Sequence, residues 1–108
     1  MAQIPSETIR LIEDFIKSVK ADNIKIEKVI LFGSYAKGNY SKDSDIDLAI
    51  ISPDFKENEC ISNMSKLLLK ATKLRADIQT LPFSLDEYNK PKGIMEEILN
   101  TGIELNIA

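Results

Sequence analysis

The sequence predicts an α/β fold in which a small mixed β-sheet of about four strands is covered by helices. Three observations predict it. Segments with apolar residues at helical spacing alternate along the chain with short strand-like runs. Apolar residues make up 44% and charged residues 29% of 108 residues, the balance of a folded chain with one core. No repeat, linker or low-complexity tract divides the chain, so residues 1–108 read as a single domain.

The first helix follows Pro5-Ser6 and carries Ile9, Ile12, Ile16 and Val19 on one stripe, widened by Leu11 and Phe15, with Ser6 as its N-cap. Ile26 to Phe32 is the first strand. Its unbroken run Val29-Ile30-Leu31-Phe32 suits a strand covered on both faces, and Gly33 ends it. Gly33 to Ser44 is small, polar and turn-rich, with a short helix starting near Ser34, and Asp45 to Ser52 is the second strand. Beyond Pro53, residues from about Asn58 to Leu74 place Ile61, Met64, Leu67, Leu68 and Ala71 on the inward stripe of a helix. Asp77 to Leu81 is the third strand, closed by Pro82, and Ser84 to Lys92 is a polar connection of unassigned conformation. A last helix, about Lys92 to Asn100, turns Ile94, Ile98 and Met95 or Leu99 inward and stops at Thr101-Gly102. The alternating Ile103 to Ile107 then forms a fourth, half-exposed strand.

Charge and inventory narrow the function. Fourteen basic and seventeen acidic residues give a net charge of −3, and neither half of the chain is basic. Direct nucleic-acid binding through phosphate neutralisation is therefore not expected. With no histidine and only Cys60, an inert thiol, the chain lacks the residues for an internal disulfide, a Cys/His zinc site or a His-assisted nucleophile. Its apolar runs are far shorter than the roughly 20 residues that span a bilayer. The start MAQIPSETIR resembles no signal peptide, so a cytoplasmic location without membrane contact is expected.

Catalysis must then rest on carboxylates, lysines, hydroxyls or a metal. Asp45 and Asp47 lie two apart at the start of a strand, so they leave the same face with Cα atoms roughly 6.5 to 7 Å apart. Two such anions repel each other, and a hard divalent ion with oxygen ligands relieves the conflict. Asp77 opens another strand in the same manner and, from an adjacent position, would stand beside the pair. Three carboxylates suit two Mg²⁺ ions, the machinery of phosphoryl or nucleotidyl transfer. Gly33 and Ser34 supply a phosphate cradle at a strand end: Gly33 lets the backbone approach closely, and free N–H groups and the Ser34 hydroxyl donate.

Each element alone is commonplace, Gly-Ser as a turn and Asp-x-Asp as a solvated strand start. Their combination, GS followed ten residues later by DxD, arises by chance in only about one in 10³ chains of this length. Other readings fail on detail. Gly33 and Gly38 have P-loop spacing, but Asn39-Tyr40 replaces the Lys-Ser/Thr that loop needs. Asp43, Asp45 and Asp47 mimic a calcium loop, yet Leu48 stands where its glycine belongs.

The segment LFGSYAKGNYSKDSDIDLAII, with its GS-x10-DxD pattern, resembles the minimal nucleotidyltransferases of the DNA polymerase β superfamily. The order of helices and strands follows that family over essentially the whole chain. The resemblance implies that Asp45 and Asp47 hold magnesium, that Asp77 completes the metal site and helps deprotonate the acceptor hydroxyl, and that Gly33 and Ser34 hold the triphosphate of ATP. Lys37, Lys42 and Arg75 are more ordinarily solvated surface than phosphate ligands, and Tyr35 and Tyr40 more ordinarily loop aromatics than base-stacking platforms.

The resemblance also implies an antitoxin. Such proteins act beside a HEPN-domain ribonuclease toxin, moving AMP from ATP to a toxin tyrosine, and a hetero- or homo-oligomer is expected. Two other readings compete: a non-catalytic module that neutralises its partner by covering it, and nucleotidyl transfer to a small molecule.

Overall fold

The computed structural model describes residues 4–41, 44–74 and 77–107, and only the backbone of Glu57 and Cys60. Lys42, Asp43 and Arg75 thus lie outside the described residues. The element order is α1 (Ser6–Lys20), β1 (Lys28–Phe32), α2 (Ser34–Lys37), β2 (Ile46–Ile51), a 3-10 turn (Glu57–Glu59), α3 (Cys60–Lys73), β3 (Ile78–Phe83), α4 (Leu85–Asn89), α5 (Ile94–Thr101) and β4 (Ile103–Leu105).

The strands form one mixed sheet in the order β3-β2-β1-β4. β1 runs antiparallel to both neighbours, and β2 runs parallel to β3 through the α3 crossover. The central apolar runs alternate between two cores. Val29, Leu31, Leu48 and Ile50 face α1 and α3, burying Ile12, Phe15, Ile16, Val19, Leu67 and Ala71. Ile30, Ala49 and Ile51 face the other side, where Phe83 and the α5 residues Met95 and Ile98 cover them. Asp47 shares that second face by the two-residue alternation of a strand. It lies at the end of β2 away from the Ile51–Phe83 pairing, where the face stays partly open.

Several local expectations are corrected. Pro5, not Ser6, caps α1: its extended backbone turns the chain into the helix and its carbonyl accepts from the Ile9 N–H at 3.1 Å. β1 starts at Lys28 rather than Ile26. β3 runs through Pro82 to Phe83 instead of ending at Leu81. The reason is its place at the sheet edge. Ile46 N–H donates to the Asp77 carbonyl and Ser52 N–H to that of Phe83, so the odd-numbered residues turn their backbone groups toward β2. Those of Ile78, Thr80 and Pro82 then face outward, and a missing N–H at Pro82 breaks no ladder bond.

On α3, Leu67 and Ala71 are buried as expected, but Ile61, Met64 and Leu68 are exposed. The helix carries two apolar stripes, and the core takes only the one that also holds the buried Asn63. On α5, Met95 and Ile98 point inward while Ile94 and Leu99 do not. The unassigned segment after β3 is the short helix α4. It is closed by a capping box in which Ser84 Oγ accepts from the Glu87 N–H at 3.1 Å and Glu87 Oε1 accepts from the Ser84 N–H at 2.9 Å.

Gly102 links α5 to β4 under tight contact. A Cβ there would stand 2.6 Å from both Ile30 Cγ2 and the Ile98 carbonyl oxygen. Because one neighbour is backbone, Gly102→Ala is expected to cost about 1–3 kcal/mol. Thermal unfolding would register this as a lower melting temperature, with the active face unchanged.

Candidate active site

β1 and β2 pair so that Phe32 stands opposite Asp47. The chain leaves β1 at Gly33, loops through α2 and returns at Asp45, and this antiparallel pairing brings the Gly-Ser and Asp-x-Asp segments to one end of the sheet. Gly33 has φ +75 and ψ −149, a conformation that side chains disfavour. Its bare Cα is aimed at a carboxylate: an added Cβ would collide with Asp47 Oδ2 and lie 3.1 Å from Asp47 Cγ. Glycine here serves the close approach of the backbone to the Asp47 carboxylate.

Asp47 is half-buried and Asp45 exposed on the same strand face. Burial, and secondarily the negative charge of Asp45, push the Asp47 carboxyl above its ordinary range. A half-buried anion with an anionic neighbour is what a hard cation relieves, so the donor set fits a divalent ion held by Asp45 and Asp47.

Asp77 is exposed immediately before β3, and the Ile46–Ile78 register sets it alongside Asp45. The three carboxylates are not gathered into one ligand set, however. Among the described residues no three His, Cys, Asp or Glu side chains stand close enough to hold an ion. Gln79 instead reaches Asp45, its Nε2 donating to Oδ2 at 3.0 Å. Sequence reasoning misses this residue, although its place two beyond Asp77 puts it on the carboxylate face.

Ser34 is half-buried at the start of α2, and Lys37 is exposed at that helix's end. Tyr35 and Tyr40 stack on each other, with ring centroids 4.5 Å apart and planes inclined by 8°. The two rings thus tie α2 to the far side of the loop, a structural use that fits their reading as loop aromatics. The Ser41 N–H donates to Ser44 Oγ at 2.8 Å, one residue before Asp45.

The family described as Polymerase beta, Nucleotidyltransferase matches residues 14–107. The chain belongs to this nucleotidyltransferase family. A relative from Methanocaldococcus jannaschii, MJ0141, named provisionally as a protein adenylyltransferase, is 33% identical over 102 residues, covering 92% of this chain and 99% of its own. The protein adenylyltransferase MntA of Shewanella oneidensis is 33% identical over 73 residues, which cover 67% of this chain and 52% of MntA. Among solved structures, a mutant form of the toxin–antitoxin complex of MntA and HpeT superposes with a TM-score of 0.53 at 23% identity, over 95% of this chain and 72% of that one. That likeness establishes the shared nucleotidyltransferase fold. Among the described residues no helix is long and apolar enough to cross a membrane.

Proposed function

We propose that this nucleotidyltransferase moves AMP from ATP to a tyrosine hydroxyl of a HEPN-domain ribonuclease partner and so acts as its cytoplasmic antitoxin. The observation that carries the reading is the junction of Gly33 with Asp47: a side-chain-free backbone turn pressed against a half-buried carboxylate that has a second carboxylate beside it. The names of MJ0141 and MntA as protein adenylyltransferases, and the toxin–antitoxin complex of MntA, support the choice of a protein acceptor.

In this reading Asp45 and Asp47 would hold Mg²⁺, and Asp77, which stands alongside Asp45 outside that ligand pair, would join them for a second ion only once an ion draws the three carboxylates together. The ions, when bound, supply charge neutralisation and lower the pKa of the attacking hydroxyl. Gly33 and Ser34 orient the β- and γ-phosphates through backbone N–H groups and the Ser34 hydroxyl. The tyrosine oxygen forms a bond to the α-phosphorus, the bond from that phosphorus to the bridging oxygen breaks, and pyrophosphate leaves. Asp77 takes the tyrosine proton. The AMP added to the partner brings negative charge and bulk to its surface, opposing the approach of an RNA phosphate.

The test is intact-mass spectrometry of the partner after incubation with this chain, ATP and Mg²⁺. An added AMP mapping to a tyrosine, absent with Asp45→Ala, is the expected outcome. Full neutralisation of the ribonuclease by Asp45→Ala, with no mass added by the wild type, would replace transfer by steric cover.

A further inference from the structure

A second surface adjoins the carboxylates. Between α3 and the outer edge of β3 runs a groove of about 370 Å³, lined by Ile61, Met64, Leu68, Ile78, Gln79 and Thr80 among others. Ile61 and Leu68 are 82% and 63% exposed, far more than a helix in contact with a sheet requires. With Met64 they repeat at i, i+3 and i+7, a continuous stripe along the helix. The opposite wall is the edge of the sheet, where Ile78 and Thr80 turn their backbone N–H and C=O groups outward and, among the described residues, no strand pairs with them. The groove therefore offers apolar contact on one side and unused ladder bonds on the other. A folded apolar surface could satisfy only the first. An extended segment satisfies both.

We propose that this groove receives the acceptor protein as an added β-strand, beside β3, carrying the tyrosine that is modified; the inference rests on the transfer reading above. Two features select that occupant. Gln79 lines the groove and also donates to Asp45 at 3.0 Å, so the groove is continuous with the site. In an added strand alternate side chains point to opposite faces: one set enters the apolar groove and the other lies on the face of Gln79 and Asp47. Strands are spaced by about 4.8 Å, so the added backbone would run about 10 Å from β2 with β3 between. Tyrosine, the longest of the hydroxyl side chains, reaches farthest toward β2, and serine and threonine reach least.

The experiment uses the full chain and the HEPN-domain ribonuclease as probe, with calorimetry for binding, intact mass for AMP transfer and amide hydrogen exchange for the edge. Leu68→Glu changes an exposed side chain and keeps the fold. It is expected to weaken partner binding, and to raise KM for the partner, at least tenfold while leaving Mg-ATP affinity unchanged. In the wild type, the outward amides of Ile78 and Thr80 are expected to exchange quickly in the free chain and slowly in the complex. Unchanged binding by Leu68→Glu, or no new protection at those two amides, overturns the proposal; loss of binding without protection assigns the groove to a helix instead. If the wild type binds the partner but adds no AMP, the transfer reading fails while binding and exchange still decide the groove. A wild type that does not bind the ribonuclease overturns both.

Discussion

Asp47→Asn is expected to raise the melting temperature of the metal-free protein at neutral pH and to reduce AMP transfer by on the order of 10³-fold. The two effects have one origin. Burial and the neighbouring Asp45 raise the Asp47 pKa in the folded chain. The folded state therefore holds that proton more tightly than the unfolded state does. Its stabilising contribution is fully present below the unfolded pKa and is lost as pH rises through the folded one, so at neutral pH the ionised carboxylate counts against folding. Asparagine keeps the shape without the charge. The gap in melting temperature between variant and wild type should narrow as pH falls toward the carboxylate range, and also when Mg²⁺ is added, because only the wild type gains a counter-charge. The loss of activity follows from removing an ion ligand, since Lewis-acid stabilisation of several kcal/mol is worth about a decade of rate per 1.4 kcal/mol. A variant less stable than the wild type at neutral pH without metal would mean that Asp47 is not under strain.

Gly33→Ala is expected to be the most damaging substitution of a single hydrogen by a methyl group in this chain. Two costs coincide there. The backbone at φ +75 and ψ −149 is strained for any residue with a Cβ, at about 1–3 kcal/mol. The methyl group also collides with the Asp47 carboxylate. For a domain of this size each kcal/mol lowers the melting temperature by roughly 4–8 °C. Displacing Asp47 from its place against Gly33 should add a loss of at least about 10²-fold in transfer, since a misplacement near 1 Å can cost that much. Gly93 provides the control. It too has positive φ, +58, but nothing lies within 4 Å of its added Cβ. Gly93→Ala should share the backbone cost seen by calorimetric unfolding and leave transfer intact. Equal activities of the two alanine variants would detach Gly33 from the site.

The parts legible in the sequence are those where one physical cause dominates. Val29–Phe32 and Leu48–Ile51 are apolar without alternation because both faces of the central strands are covered, and that signal makes these two strands readable. Gly33 and Asp47 are readable as neighbours because a residue without Cβ and a carboxylate at facing strand ends are demands that few residue types meet. What escapes is relational. Whether Leu67 or Leu68 faces the core depends on where α3 meets the sheet, and both lie on plausible stripes. Pro82 reads as a strand stop unless its edge position is known, because only the outward direction of its missing N–H makes it harmless. The partnership of Gln79 with Asp45 depends on the register of β2 and β3, which neither strand specifies alone. The capping box of α4 is different: Ser84 and Glu87 carry the full signal, and only the weak apolar pattern around them hides it.

The central claim is that the carboxylates at the end of β2 bind a nucleotide only through a divalent cation. Calorimetric titration of a non-hydrolysable ATP analogue into the wild type and into the Asp45→Asn, Asp47→Asn double variant tests it most directly, each with Mg²⁺ and with a chelator. Saturable heat from the wild type with Mg²⁺, and from neither protein under the other conditions, is the predicted result. Equal affinity in the double variant, or in the chelator, would contradict it.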